Sequence, residues 1–526
     1  MPLLPQALYL ASQVRAAELA LSEQTNTPLY DLVERAGAAA YQILQSLSLG
    51  NVRYLVLAGG GNNGADALVL ARYLRNHGAN VQMMALVKHE YSVEYLAAKK
   101  AFIDNGGVCL SLDPQEFDAA DVIIDGLLGT GIHLDATRLG LTTELCAIVN
   151  AINQSSAMVV SLDIPSGIHA DTGRCAPVAV NATHTIVFGA MKQGLLTSRA
   201  RHCCGTLHFA DIGLSAFLPS PSAQWVDESY LKERLLPRAR DSHKGDNGKV
   251  AIVGGDLGMP GSIRLASEAC LRAGAGLVAV VSQPEHLSVV VGSRPEVMFT
   301  STFCELSDQS DDHTALPISE RVQHLLKWAD VIVLGPGLGT RRWGEALFAT
   351  VLNEIKGEAS DNSALDPNSR EGLVPPPLVV DADGLNLLSQ QPQHYPHWIL
   401  TPHPAEAARL LGVDTEQIEQ NRFAAVKALQ QKYGGVVLLK GAGTLITDGA
   451  QCIVAPVGNP GLASAGCGDV LSGIIGALLG QGLDKMQAAI AGVVIHGCAA
   501  DDAAKLGERG MLASDLMHHI RHWVNL

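Results

Sequence analysis

Gly466-Cys467-Gly468-Asp469 begins the run GCGDVLSG, in which small residues and one carboxylate stand where a loop enters an apolar helix. Backbone N–H groups at such a junction converge, and together with the helix dipole they form a seat for phosphate. A carboxylate beside phosphate is electrostatically unfavourable unless it binds a metal or takes a proton from the group attacking phosphorus. Asp469 is therefore the first candidate for a catalytic residue. The competing reading is a glycine-rich turn that lets a helix pack closely, with Asp469 as its cap.

Other chemistry-bearing residues of the C-terminal half also follow apolar runs. They are Gly335-Pro336-Gly337-Leu338-Gly339, Asp381 and Asp383, His403 between two prolines, and Lys440-Gly441-Ala442-Gly443-Thr444. Lys440 with two glycines behind it is placed to meet a nucleotide phosphate, or else is an edge lysine in a tight turn. In the N-terminal half the same habit gives three clusters: Asn62, Asn63 and Asp66; Asp125; and Asp163 with Ser166. Asn63, Asp125 and Ser166 offer oxygen ligands and one formal charge, which suits a hard, weakly charged cation better than a transition metal. Asp163 is then free to act as acid or base. Capping and turn satisfaction are the alternative for all of these.

The elements that position these residues are strands alternating with helices. Residues 51–58, 81–87, 122–131 and 158–167 read as strands in a βαβ rhythm, as do stretches starting at 249, 277, 331, 377, 398 and 436. Open parallel sheets bind ligands at the carboxyl ends of their strands, so residues from separate loops converge on one crevice. Gly59 to Gly64 also satisfies GxGxxG, but three consecutive glycines satisfy many patterns, and the extra oxygen-bearing side chains exceed what a dinucleotide turn needs. A proline- and serine-containing stretch from Ser215 to Glu228 reads as a linker. The segments near 302–318 and 355–376 read as surface insertions. Neither half repeats the other, so the chain is read as two different α/β domains, 1–220 and 226–526. The first 24 residues read as an amphipathic helix.

A formal charge of −15 over 526 residues argues against nucleic acid or an anionic membrane as partner. It leaves room for a phosphate-bearing small molecule, because loop amides and helix N-termini supply positive field locally. Ten cysteines without a CxxC pair point to a reduced, cytoplasmic protein with neither disulfides nor structural zinc, and no run approaches a membrane span.

With these residues assembled, the chain resembles the bifunctional NAD(P)H-hydrate repair enzymes. Its N-terminal motifs are GNNGADAL, VIIDGLLGTG and SLDIPSGIHADTG. The C-terminal ones are HKGDNGKVAIVGG, RAGAGLV, GPGLG, DADGLN, TPHPAEAARLLG, KGAGT and GCGDVLSG. The resemblance implies an N-terminal Rossmann-like three-layer epimerase domain and a C-terminal ribokinase-like, nucleotide-dependent dehydratase domain. It implies that Asn63, Asp125 and Ser166 hold K+. It also implies that Asn62, Asn63, Gly64, Ala65 and Asp66, with Gly129, Thr130, Gly131, Ile132, His133, Leu134 and Asp135, contact the hydrated dinucleotide, with Asp163 at the reacting ring. In the C-terminal domain it places the hydrate near Ser262, Gly337, His403 and Asp469. The adenine nucleotide falls on Lys440, Gly441, Ala442, Gly443, Thr444 and Gly468, with Gly339 in the same set and Mg2+ accompanying ADP or ATP. A homo-oligomer is expected. The family commonly has other small residues at Ala65, Ser262, Ala405 and Cys467, none of which is a proposed acid, base or cation ligand.

Three rival readings remain at the level of sequence. One is a ribokinase-like vitamin or sugar kinase, whose phosphate ester is the final product. A second makes residues 1–215 a non-catalytic dinucleotide sensor or interaction module. A dehydrogenase built on the literal GxGxxG is the third.

Overall fold

The computed structural model describes residues 4–87, 90–131, 141–302, 318–356 and 375–526. The expected insertions near 302–318 and 355–376 lie almost wholly outside these residues. The chain divides into two compact units, Met1–Trp225 and Val226–Leu526. No helix among the described residues is long and apolar enough to cross a membrane.

The first unit is built on seven parallel strands. From edge to edge they are Cys109–Ser111, Asn80–Ala85, Arg53–Ala58, Val122–Gly126, Met158–Leu162, His184–Phe188 and Thr206–Ala210. Successive side chains of a strand point to opposite faces. Tyr54, Val56 and Ala58 accordingly pack with Leu68, Val69 and Leu44 on one side, while Leu55 and Leu57 pack with Ile148, Val149 and Ile152 on the other. The sheet is thus covered on both faces, as the three-layer expectation requires. The last two strands are poorly announced by the sequence because they carry His184, Thr185 and His208, whose imidazoles meet at 3.0 Å.

Two expectations are corrected here. The N-terminal stretch is a short strand, Ala7–Tyr9, followed by a helix, Ala11–Thr25. A left-handed Asn26 and then Pro28 separate that helix from the next, Leu29–Ser46. The stretch read as a linker contributes a strand, Ala223–Trp225, which pairs antiparallel with Ala7–Tyr9. Its indole Nε1 donates to the Pro5 carbonyl at 2.8 Å, so this segment is tied to the first unit.

Among the described residues the second unit holds nine strands. Seven are parallel, in the order Met298–Ser301, Leu277–Ser282, Lys249–Val253, Val331–Leu334, Leu378–Val380, Trp398–Leu400 and Val436–Leu439. Thr444–Thr447 and Cys452–Ala455 then complete the sheet antiparallel. One face, through Val250, Val280, Val333 and Leu438, packs on the helices Pro260–Arg272, Cys467–Gly480 and Lys485–Ala503. Two of these helices approach so closely that a Cβ added at Gly473 would stand 2.2 Å from the Ala266 carbonyl oxygen. This contact fixes the helix that carries Asp469. Gly473→Ala should therefore destabilise the second unit by about 1–3 kcal/mol through overpacking, read as a lower midpoint of urea unfolding.

Candidate active sites

In the first unit, the residues at the carboxyl ends of the central strands meet as the topology demands. Gly59 is required for close approach: a Cβ there would lie 1.8 Å from the Leu127 carbonyl oxygen. The glycine-rich turn therefore brings the helix Asn62–Asn76 against the loop after Asp125, which explains Gly59 without a dinucleotide fingerprint. Asp125 is fully buried. One carboxylate oxygen accepts from Ser161 Oγ at 2.8 Å and from Ser166 N at 2.9 Å, and the other accepts from Ser166 Oγ at 2.6 Å. Burial raises its pKa, and the Ser166, Ser161 and Leu127 donors work in the opposite direction.

Ser166 Oγ also accepts from Leu128 N at 2.9 Å, and Asn63 Nδ2 donates to the Leu128 carbonyl at 2.7 Å. Asn63 Oδ1 is buried without a hydrogen-bond partner. A buried amide oxygen in that state is costly unless something electropositive meets it. Asn63, Asp125 and Ser166 are thus joined through one loop, with one oxygen left over.

Beside them opens a cavity of about 460 Å³, lined by Asn62, Asn63, Gly64, Asp66, Gly129, Thr130, Gly131 and Asp163. Ala65 is fully buried behind it. Ile132, His133, Leu134 and Asp135 lie outside the described residues. Asp163 holds a left-handed backbone at φ 63°, a strained conformation for a residue other than glycine, and such strain concentrates at functional sites. Its Oδ1 accepts from Phe188 N at 3.2 Å and is ion-paired with Lys192, which also donates to the Phe188 carbonyl at 2.9 Å. Lys192 is buried and lines the cavity. Asp66 is pushed well above the usual carboxylate range by burial, then by the negative charges of Asp163 and Glu18, against a smaller opposing pull from Lys192.

In the second unit Gly466, at φ 88°, precedes the helix Cys467–Gly480 and places Asp469 in its first turn. The Asp469 carboxyl is pushed up to about 7, chiefly by burial and next by Asp381, while a Ser262 hydrogen bond and Lys440 resist the rise. Ser262 comes within reach because Gly337 lacks a side chain: a Cβ at Gly337 would stand 3.0 Å from Ser262 Cβ. Asp383 Oδ2 accepts from Gly339 N at 2.9 Å. Gly468 faces Lys440 Nζ, 3.3 Å from where a Cβ would sit. Lys440 Nζ donates to Asp381 Oδ1 at 3.0 Å and lies 3.9 Å from Glu406 Oε2. Burial pulls the lysine pKa down, but Asp381 and Glu406 outweigh it and hold it raised.

The Lys440–Thr444 turn is built around Arg422, whose guanidinium donates to the carbonyls of Leu439, Lys440, Ala442 and Gly443. Thr444 Oγ1 closes the turn on the Gly441 carbonyl at 3.3 Å. His403 caps the helix Pro404–Leu411 by accepting from Ala405 N at 3.1 Å and Glu406 N at 3.4 Å through Nδ1. Its Nε2 lies 3.4 Å from Glu406 Oε1. His403 therefore has a structural role as the cap of this helix.

The chain matches a family model described as YjeF-related protein N-terminus over residues 29–194, and one described as NAD(P)H-hydrate dehydratase over residues 250–522. It is 39% identical to the bifunctional NAD(P)H-hydrate repair enzyme Nnr of Escherichia coli K12, with 99% of this chain and 95% of the relative covered. The corresponding protein of Coxiella burnetii is 40% identical over 98% of this chain and 99% of its own length. The chain belongs to the bifunctional NAD(P)H-hydrate repair enzyme family. Among solved structures, a ribokinase-like superfamily protein of Enterococcus faecalis V583 aligns with 58% of this chain and 95% of its own, at 27% identity and a TM-score of 0.48.

Sequence reasoning does not single out Lys192, Glu406 or Arg422 as functional residues. Lys192 follows the weakly patterned strand His184–Phe188, so nothing marked it as a strand-end residue. The run GAMKQG immediately after HTIVF was the one available signal. Glu406 and Arg422 act across the fold on Lys440 and its turn, which no local spacing reveals.

Proposed function

We propose that the two units divide NAD(P)H-hydrate repair between them, with the first interconverting the epimers of the hydrated dinucleotide and the second dehydrating one epimer at the expense of ADP or ATP. The observation that supports this most directly is Asp469, a buried carboxyl tuned to about 7 in the first turn of a helix, next to Lys440 and a glycine loop. Hydration leaves a hydroxyl on a carbon bonded to the ring nitrogen, and hydroxide leaves poorly. Asp469 takes the hydroxyl proton, the oxygen attacks the terminal phosphoryl group, and the amides of Gly466 to Gly468 meet the developing charge. The nitrogen lone pair then expels phosphate to leave an iminium, and loss of a proton from the adjacent ring carbon restores the dihydropyridine. Lys440 contacts the nucleotide phosphates, and Mg2+ entering with the nucleotide would supply further positive charge to them.

In the first unit the same hydroxyl meets Asp163. The carboxylate takes the hydroxyl proton, the carbon–nitrogen bond opens to an aldehyde, and the electron pair goes to the ring nitrogen. Asp66, whose burial favours its protonated form, supplies the proton that nitrogen needs. Reclosure from the opposite face reverses both transfers and yields the other epimer. Asn63 Oδ1, the Asp125 carboxylate and Ser166 Oγ fit K+, the unpartnered Asn63 oxygen being the atom such an ion would satisfy. The ion supplies positive charge beside the dinucleotide when bound.

The full chain with S-NADH hydrate, Mg2+ and either ADP or ATP should restore NADH absorbance, and no recovery with either nucleotide would overturn the repair reading in favour of a kinase. With R-hydrate, recovery should depend on K+ and fall at least tenfold when Na+ or Li+ replaces it. Asn63→Leu should remove that dependence along with most of the epimerase rate. An equal rate in every alkali cation would remove potassium from the proposal.

A further inference from the structure

At the opposite end of the second unit's sheet from Asp469 lies a larger cavity, of about 950 Å³. It is formed where strands begin. Arg234 ends the helix Ser229–Arg234 and residues 235–238 follow it, Asn247 precedes Lys249–Val253, Gly274 precedes Leu277–Ser282, and Pro295 precedes Met298–Ser301. The helices Pro260–Arg272 and Leu516–Trp523 end there as well.

Five arginines line this one cavity, at 234, 238, 272, 294 and 521, in a chain whose formal charge is −15. Their partners account for only part of them. Arg238 donates to the Gly274 carbonyl, and Arg234 lies 3.8 Å from the exposed Glu233. The one buried carboxylate, Glu268, is shared: Arg294 is ion-paired with it, Arg272 stands at 3.7 Å and Arg264 at 3.9 Å. Arg294 Nε is buried with no hydrogen-bond partner. Among the described residues Arg521 has no side-chain ion pair or hydrogen bond. Guanidinium groups collected this way repel one another, and Glu268, the exposed Glu296 and the helix C-termini that face them offset only part of the charge. Between the arginines the wall is apolar, made by Leu235, Leu271, Leu478 and Leu483.

We propose that this cavity binds a small organic phosphate, its phosphate on Arg272, Arg294 and Arg521 and its apolar body on the leucines. Guanidinium favours phosphate through paired, parallel hydrogen bonds. The site adjoins residues 234–238, just after the two units divide, and is remote from the catalytic strand ends. An organic phosphate bound there is a ligand separate from the nucleotide and the hydrate.

The test uses the full chain and 1-naphthyl phosphate as probe, with inorganic phosphate as comparison, by titration calorimetry and by phenylglyoxal modification read by mass spectrometry. Naphthyl phosphate should bind at least tenfold more tightly than inorganic phosphate and should shield Arg272 and Arg521 from modification. Arg272→Gln with Arg521→Gln should weaken it at least tenfold while leaving nucleotide-dependent dehydration intact, and Lys440→Met should leave it unchanged. Equal affinity for the two anions, loss of binding in Lys440→Met alone, or unshielded arginines in the unaltered protein would each overturn the proposal. The shielding measurement needs no variant, so a failure of the double variant to fold leaves the test decisive.

Discussion

Asp469→Asn should lower nucleotide-dependent recovery of NADH from its S-hydrate by about 10²–10⁴-fold, the range a positioned general base contributes. Asparagine keeps the shape and can still accept from Ser262, so nucleotide affinity should change little and epimer interconversion not at all. The same carboxyl sets the pH profile. It works as a base only when ionised, and burial with Asp381 raises its pKa to about 7. The rate at low hydrate concentration should therefore fall about tenfold per pH unit below that value. Ser262→Ala removes a hydrogen bond that favours the ionised form, so the acidic limb should move to higher pH. Asp381→Asn removes a negative neighbour, so the limb should move lower, though Lys440 then loses its partner at 3.0 Å. A flat profile in the unaltered enzyme, or a normal rate in Asp469→Asn, would return Asp469 to the role of a helix-turn carboxylate.

Both candidate sites were legible where chemistry follows a strong strand. Asn63, Asp125, Asp163 and Ser166 stand directly after apolar runs, and the rule that parallel sheets bind at carboxyl ends brings them together without coordinates. The residues that tune them were not legible, because their partners are far away in sequence. Asp381 and Lys440 are 59 residues apart, and Arg422 braces a turn 17 to 21 residues downstream. Pattern also failed where a strand's own composition hid it. His184–Phe188 carries a histidine and a threonine, and its obscurity concealed Lys192 four residues on. The stretch read as a linker does contain the division between the units, but its proline and serine content hid Ala223–Trp225, three residues that pair with Ala7–Tyr9.

Lys192 and Asp163 make the sharper test of the first unit, because structure and catalysis predict different outcomes for the pair. Lys192 is buried and ion-paired with Asp163, so removing either partner leaves an unpaired charge at the cavity wall, at a cost of up to about 3–5 kcal/mol. Asp163→Asn and Lys192→Met should each lower the unfolding midpoint of the first unit. Asparagine tolerates the left-handed backbone that residue 163 adopts, so the loss in Asp163→Asn comes from the charge and not from the chain's path. Combining the two removes both charges, and the double variant should regain much of the lost stability. Activity should not follow. Epimer interconversion should fall about 10²–10⁴-fold in Asp163→Asn and stay there in the double variant, since no base remains to take the hydroxyl proton. If the double variant recovers epimerase activity along with stability, the pair is a structural ion bridge and the proton is handled elsewhere in the cavity. If neither recovers, the strain at Asp163 requires the salt bridge itself, and Asp163→Gly with Lys192→Met should then restore the fold alone.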